Sequence, residues 1–364
     1  MLKTNHELRL DALRGLAAFS VAAGHCVTAW ESGPIYALTV KEMQGAGLSA
    51  IVMKLLHLIF NADAAVIIFF VLSGHVLTRS LQKISLNYVA EFSKFATKRL
   101  FRLIPTTCIS FLPLVFFVHA DIARYIKNML LLARDINGVT WSLQVEVFGS
   151  LLIFLVFMSR KRSKMALYIL STLIMAAYLL NKDTIFLKYF PAFLLGCVVD
   201  DLRRNYKDAM LKLLPLSVFM LLCGDFVLGY KTHLSIFLEI ASSGIIIAAA
   251  PYSRFFAFLD RPVCAFLGKI SFSFYLYHLT GAHIALYAFS VAGIHLSQAS
   301  MVSSAVIYMA VSIPIAIFMA TLSYYFVEKP SIVIGSQLGE RIKQGLTFRP
   351  INASLPVAQG DSNK

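Results

Sequence analysis

Long apolar stretches, separated by short polar and mostly basic segments, run from residue 12 to residue 327. A helix that crosses a bilayer needs ~20 consecutive, mostly apolar residues. Stretches of that kind recur at 12–30, 64–80, 103–119, 141–158, 165–180, 185–199, 213–230, 234–250, 264–288 and 301–327. Hydrocarbon offers no water to backbone amides, so each stretch reads as a helix that satisfies its own hydrogen bonds. The short alternating segments of a membrane β-barrel do not occur. The pattern predicts an all-α, polytopic transmembrane helix bundle of about ten spans. Ile51 to Phe60 is too short to span and is expected to lie at the interface or to re-enter. Ala12 to Trp30 contains Arg14 and His25 and is longer than a signal core, so it is expected to be the first transmembrane helix.

Composition agrees. Of 364 residues 58% are hydrophobic and 14% charged, against about 25% charged in soluble domains. The net charge of +14 would suit nucleic acid, but its placement argues for a membrane and no nucleic-acid partner is expected. With the amino terminus in the cytoplasm, 25 of the 33 Lys and Arg fall in or next to inner segments and eight fall outside. That bias predicts an even number of spans with both termini cytoplasmic. Residues 1–330 then form one integral membrane domain. Pro330 is expected to end the last helix, and 331–364 to be a short, polar, weakly ordered cytoplasmic tail with no appended soluble domain. The five cysteines lie mostly inside apolar blocks with neither metal-ligand nor disulfide-framework spacing. They read as small buried side chains, and no metal is expected.

Ionisable residues inside apolar spans are costly and mark function. Arg14 and His25 are eleven positions apart, which is about 20° past three turns and ~16 Å along a helix axis. They share a face, Arg14 near the cytoplasmic end and His25 past the middle. Asp11 can pair with Arg14 from one turn earlier. In Trp141-Ser142-Leu143-Gln144-Val145-Glu146, Ser142 and Glu146 share a face. Counting inward from the outer side places Glu146 about as deep as His25, where a carboxylate would orient the imidazole as a general base. A plain ion pair of Glu146 with Arg134 is the structural alternative. Ser73-Gly74 suits a close helix crossing. Arg99 and Arg102 lie one turn apart at the expected cytoplasmic surface and could grip phosphates or lipid headgroups. Ser271, Tyr275 and His278 share a face, and Ser142, Tyr275 and His278 are candidate donors to an oxyanion. Glu328 is expected to pair with a basic residue. His57, Asp225, His233, Glu239 and His283 have no motif context.

Six segments resemble, in order, the motifs of acyltransferase family 3 of bacterial membrane proteins. They are Leu10 to Ala18 with His25, Phe69 to Gly74, Arg99 to Pro105, Trp141 to Glu146, Ile270 to His278, and Glu328-Lys329-Pro330. The resemblance implies about ten helices in the bacterial cytoplasmic (inner) membrane. It implies an acyl-CoA donor, acetyl-CoA above all, and O-acylation of a carbohydrate such as exopolysaccharide, O-antigen or an exported oligosaccharide. It makes His25, Glu146 and Arg14 the catalytic candidates and Arg99 and Arg102 the coenzyme-binding ones; beside them, Asp11, Ser73, Ser142, Tyr275 and His278 are expected to be supporting polar groups. Two positions depart from the family pattern: His75 follows Ser73-Gly74 where an aromatic is usual, and Val147 stands where a second acid often follows Glu146. Buried polar residues in many helices would also suit a secondary transporter, although no repeated half or matched pair of broken helices is visible.

Overall fold

The computed structural model describes residues 5–82, 85, 87–119, 121–162 and 185–347. Among these the chain is helical, with no strands. The helices are α1 (Asn5–Thr28), α2 (Leu48–Ile59), α3 (Ala62–Leu81), α4 (Tyr88–Val118), α5 (Ile122–Met129) and α6 (Trp141–Arg162). Then come α7 (Ile185–Leu228), α8 (His233–Ala249), α9 (Pro262–Val291), α10 (Met301–Ser323) and α11 (Lys329–Thr347). Five segments are long and apolar enough to cross a membrane: Leu48–Leu81, Tyr88–Val118, Gly138–Met158, Leu187–Leu228 and Gln298–Thr347. The helices α1 and α9, whose apolar runs are broken by Arg14, His25, Lys269 and His278, are not among them. The span expected at 165–180 and the end of the expected tail, 348–364, lie outside the described residues.

Without a hydrophobic drive between helices in lipid, close packing holds a bundle together, and small residues permit it. Two crossings set the site. At the first, α1 meets α9 backbone to backbone: a Cβ on Gly15 would lie 2.3 Å from the Gly268 nitrogen, and one on Gly268 would lie 2.4 Å from the Asp11 carbonyl oxygen. At the second, α3 meets α7: a Cβ on Gly74 would lie 2.2 Å from the Phe193 carbonyl oxygen. The close crossing expected at Ser73-Gly74 is therefore present, with Gly74 at the contact.

Three expectations change. The spans 185–199 and 213–230 are not joined by a loop. They are two helices that meet at a kink, with helix up to and after the one non-helical residue, Tyr206 (φ −134°, ψ 28°). The chain nevertheless reverses there, because Lys188 and Lys231, on opposite sides of Tyr206, line the same surface cavity. Ion pairs at one-turn spacing, Asp200–Arg203 (3.3 Å) and Asp201–Arg204 (2.5 Å), keep the polar connection helical.

The second change is at Pro330, which does not end the helix. A π-turn over Tyr324–Glu328, with the Lys329 amide bonded to the Tyr324 carbonyl, leads directly into α11. Proline lacks the amide and crowds the carbonyl four residues back; a wider π-turn just before it relieves that conflict. So the expected weakly ordered tail is helical through Thr347.

The third change explains the second. The helix α4 starts at Tyr88, well before the apolar stretch at 103, and its polar half packs along α11. Glu340 pairs with Lys94 (2.7 Å) and Lys98 (3.1 Å), and Lys343 pairs with buried Glu91 (2.6 Å). Gly335 sits against Phe101, where a Cβ would come within 2.3 Å of the Phe101 Cβ.

Candidate active site

The helix α1 brings Arg14 and His25 to one side, as their spacing requires, but into different cavities. His25 is exposed to a cavity of about 270 Å3, lined also by Tyr36, Asp63, Trp141, Tyr230, Lys231 and Tyr275. Arg14 lines a smaller one of about 50 Å3 with Ser73, Arg102, Ser142 and Glu146. Val66 and Tyr275 border both, so these two side chains form the partition between them.

Apart from His25, Trp141 and Tyr275, the larger cavity is lined by residues outside the sequence motifs. Lys231 Nζ lies 3.0 Å from Asp63, and Tyr230 donates to the same carboxylate at 3.4 Å. The Lys231 amide donates to Asp225 at 2.9 Å. Burial works against the Lys231 ammonium, but Asp63 beside it holds its pKa above the ordinary lysine range. The segment 31–38 closes one side: Lys54 donates to the carbonyls of Ile35 and Tyr36, and His57 Nε2 donates to Glu31 at 2.9 Å. These residues come from separated parts of the chain, 31–38, 54–63 and 225–231, and no local spacing links one part to another.

In the smaller cavity the anticipated Asp11–Arg14 pair forms at 3.3 Å. Glu146 does not meet His25. It accepts from Arg99 at 3.0 Å and from Ser73 at 3.3 Å, and Arg134 is not its partner. The reason is helical rise. Trp141 borders the His25 cavity, and Glu146, five residues on, is displaced ~7.5 Å along the axis to the level of Arg14. Arg99 is thus a half-buried ion-pair partner rather than a free surface cation. Arg102 is different: its Nε is buried without a hydrogen-bond partner while its side chain lines the cavity. Glu328, expected to pair with a base, accepts instead from Ser273 at 2.6 Å and is 5% exposed.

The expected oxyanion donors are also engaged elsewhere. The hydroxyls of Ser142 and Tyr275 lie 2.8 Å apart, and both reach the Val139 carbonyl, at 3.0 and 3.2 Å. Their two protons serve those three contacts, so neither is spare. His278 Nδ1 donates to the Tyr275 carbonyl at 2.6 Å, which leaves Nε2 as an acceptor in the neutral ring. That Nε2 is buried and unpartnered. The His278 ring stacks on His25 with centroids 5.2 Å apart and planes at 26°. His25 itself hydrogen-bonds to no described side chain.

The described residues thus place an imidazole with no hydrogen bond to a described side chain at the wall of one cavity and a cluster of arginines and carboxylates in the next. The sequence comparison supplies the family. A profile described as an acyltransferase domain, that of acyltransferase family 3, matches residues 7–321, and the chain belongs to that family. No curated protein and no solved structure matches it significantly.

Proposed function

We propose that the protein is a membrane O-acyltransferase that moves an acyl group, acetyl above all, from acyl-CoA to a hydroxyl of a carbohydrate. One observation carries this reading: His25, with no hydrogen bond to a described side chain, stands at the wall of the larger cavity, one side chain away from a second cavity lined by Arg102, whose buried Nε has no hydrogen-bond partner. Two cavities sharing a partition suit two substrates that must meet at one point. Arg102 fits a phosphate of the donor, since a guanidinium fork matches phosphate oxygens. The larger cavity combines aromatic faces (Tyr36, Trp141, Tyr230) with carboxylates and ammonium groups (Asp63, Asp225, Lys54, Lys231), a lining that suits a polyhydroxylated acceptor.

In this reading His25 takes the proton of the acceptor hydroxyl as its oxygen attacks the thioester carbonyl. The carbon–sulfur bond breaks, the ester forms, and the proton on His25 passes to the departing thiolate. Arg14, tied to Asp11, and the Arg99–Glu146 pair set the charge of the donor side. An acyl-His25 intermediate would use the same residues in two steps. The chain would sit in a bacterial inner membrane with about ten spans, both termini cytoplasmic, the Arg102 side inward and the 31–47 segment outward.

The test is transfer of labelled acetyl from acetyl-CoA to a sugar acceptor by purified protein, with wild type and His25→Ala compared. Loss of transfer in the variant is expected, and a wild-type rate would end the mechanism. Solute uptake by wild-type proteoliposomes with no acceptor-dependent release of CoA would instead support the transporter reading.

A further inference from the structure

We propose that His278, rather than Glu146, is the positioning residue of His25: its ring, locked in one tautomer, is the platform on which the His25 ring is held. The inference rests on the reading of His25 as the base. A general base must present one nitrogen within hydrogen-bond reach of the proton it takes, so its ring needs a fixed plane. Catalytic imidazoles usually gain that from a carboxylate or carbonyl on the second nitrogen. Among the described residues His25 has neither, and the acid that sequence offered for the task is occupied by Arg99 and Ser73. What does touch the His25 ring is the face of His278, 5.2 Å between centroids and 26° from parallel.

The platform is itself fixed. His278 Nδ1 is anchored at 2.6 Å on the Tyr275 carbonyl one helical turn earlier. Tyr275 is anchored in turn through its hydroxyl on Ser142 and on the Val139 carbonyl. A continuous chain thus runs from α6 through α9 to the His25 ring on α1. Near-parallel rings cannot share an in-plane hydrogen bond, so His278 acts on His25 through its face. Stacking of this kind favours one orientation of each ring. His278 does not line either cavity, which places it behind His25 and makes it a positioning residue, not a catalytic one.

Three variants separate the ring face from the ring nitrogens. His278→Ala removes both. His278→Asn keeps a donor for the Tyr275 carbonyl and loses the face. His278→Phe keeps the face and loses the nitrogens. With melting in detergent as the check on folding, Ala and Asn are expected to lower kcat by about tenfold or more, because a misplaced reacting group costs one to two orders of magnitude. The KM values for acyl donor and acceptor should stay near wild type, and Phe should restore most of kcat. A wild-type kcat in His278→Asn would overturn the proposal. So would a folded His278→Phe as slow as Asn, which would assign the effect to a ring nitrogen. If Ala does not fold, the Asn and Phe pair still decides. His25→Ala is assayed alongside: activity surviving there brings down the reading of His25 itself, whereas loss there with full activity in His278→Asn brings down only the role of His278.

Discussion

Arg99 Nη1 lies 3.0 Å from Glu146 Oε1, with the two side chains 14% and 18% exposed. The pair ties α4 to α6 across the wall of the smaller cavity and separates the roles of two arginines that sequence treats as equivalent. Breaking a fully buried pair from one side costs about 3–5 kcal/mol, and this one, slightly open, belongs at the lower end. Arg99→Gln should therefore lower the melting temperature in detergent, and the double variant with Glu146→Gln should recover part of the loss. A melting temperature unchanged by Arg99→Gln would show that the pair does not bind the helices together.

Among the described residues Arg102 forms no such pair, its buried Nε has no hydrogen-bond partner, and its loss should be felt by the donor. Arg102→Gln is expected to raise the KM for acetyl-CoA roughly tenfold, the equivalent of one lost charge-assisted contact, with the acceptor KM and the melting temperature near wild type. Arg102→Lys should rescue in part, keeping charge without the fork. A KM unmoved by Arg102→Gln would remove the arginine from the donor site.

The acceptor side should respond to different residues. Asp63 holds Lys231 and Tyr230 at the rim of the His25 cavity. Asp63→Asn should raise the KM for the sugar roughly tenfold or more, within the ~1.5–3 kcal/mol of a hydrogen bond to a charged group, and leave that for acetyl-CoA unchanged. The opposite pattern would exchange the assignments of the two cavities.

The crossing of α1 and α9 admits no side chain. Gly15→Ala puts a methyl group 2.3 Å from backbone, and overpacking of that kind costs about 1–3 kcal/mol. A clear drop in melting temperature is expected. Gly138→Ala, with nothing within 4 Å of the added carbon, is the matched control and should melt like wild type. Equal melting of the two variants would mean the helices separate freely at that point.

Sidedness follows from the proposed topology. Cysteines placed at exposed Ser32, Tyr206 and Gln344, after removal of the native ones, should divide into two classes toward an impermeant thiol reagent on intact cells. Ser32→Cys should react, while Tyr206→Cys and Gln344→Cys should react only after permeabilisation. Labelling of Gln344→Cys from outside would invert or break the assignment of both termini to the cytoplasm.

Sequence alone determined the class of structure and the family. Apolar stretches of bilayer length, basic residues gathered between them, and six motifs in order are properties of chain segments, legible one by one. Helical periodicity was enough to set Arg14 and His25 on one face of α1, to pair Asp11 with Arg14, and to mark Gly74 as a crossing. Each of these depends on neighbours within a few turns or on the size of a single residue.

Tertiary structure alone decided which helices stand side by side and at what relative height. A shift of one and a half turns along α6 moved Glu146 from His25 to Arg99 and left the imidazole to His278. The reversal at Tyr206 brought Lys231 round to Asp63 at the mouth of the larger cavity, and α11 folded back on α4 through ion pairs that no local period encodes. Hydrophobic patterning fixes that a segment is a helix in lipid. The axial register between helices is set by backbone contacts at glycines such as Gly15 and Gly268 and by buried polar pairs, and these exist only once the bundle has assembled.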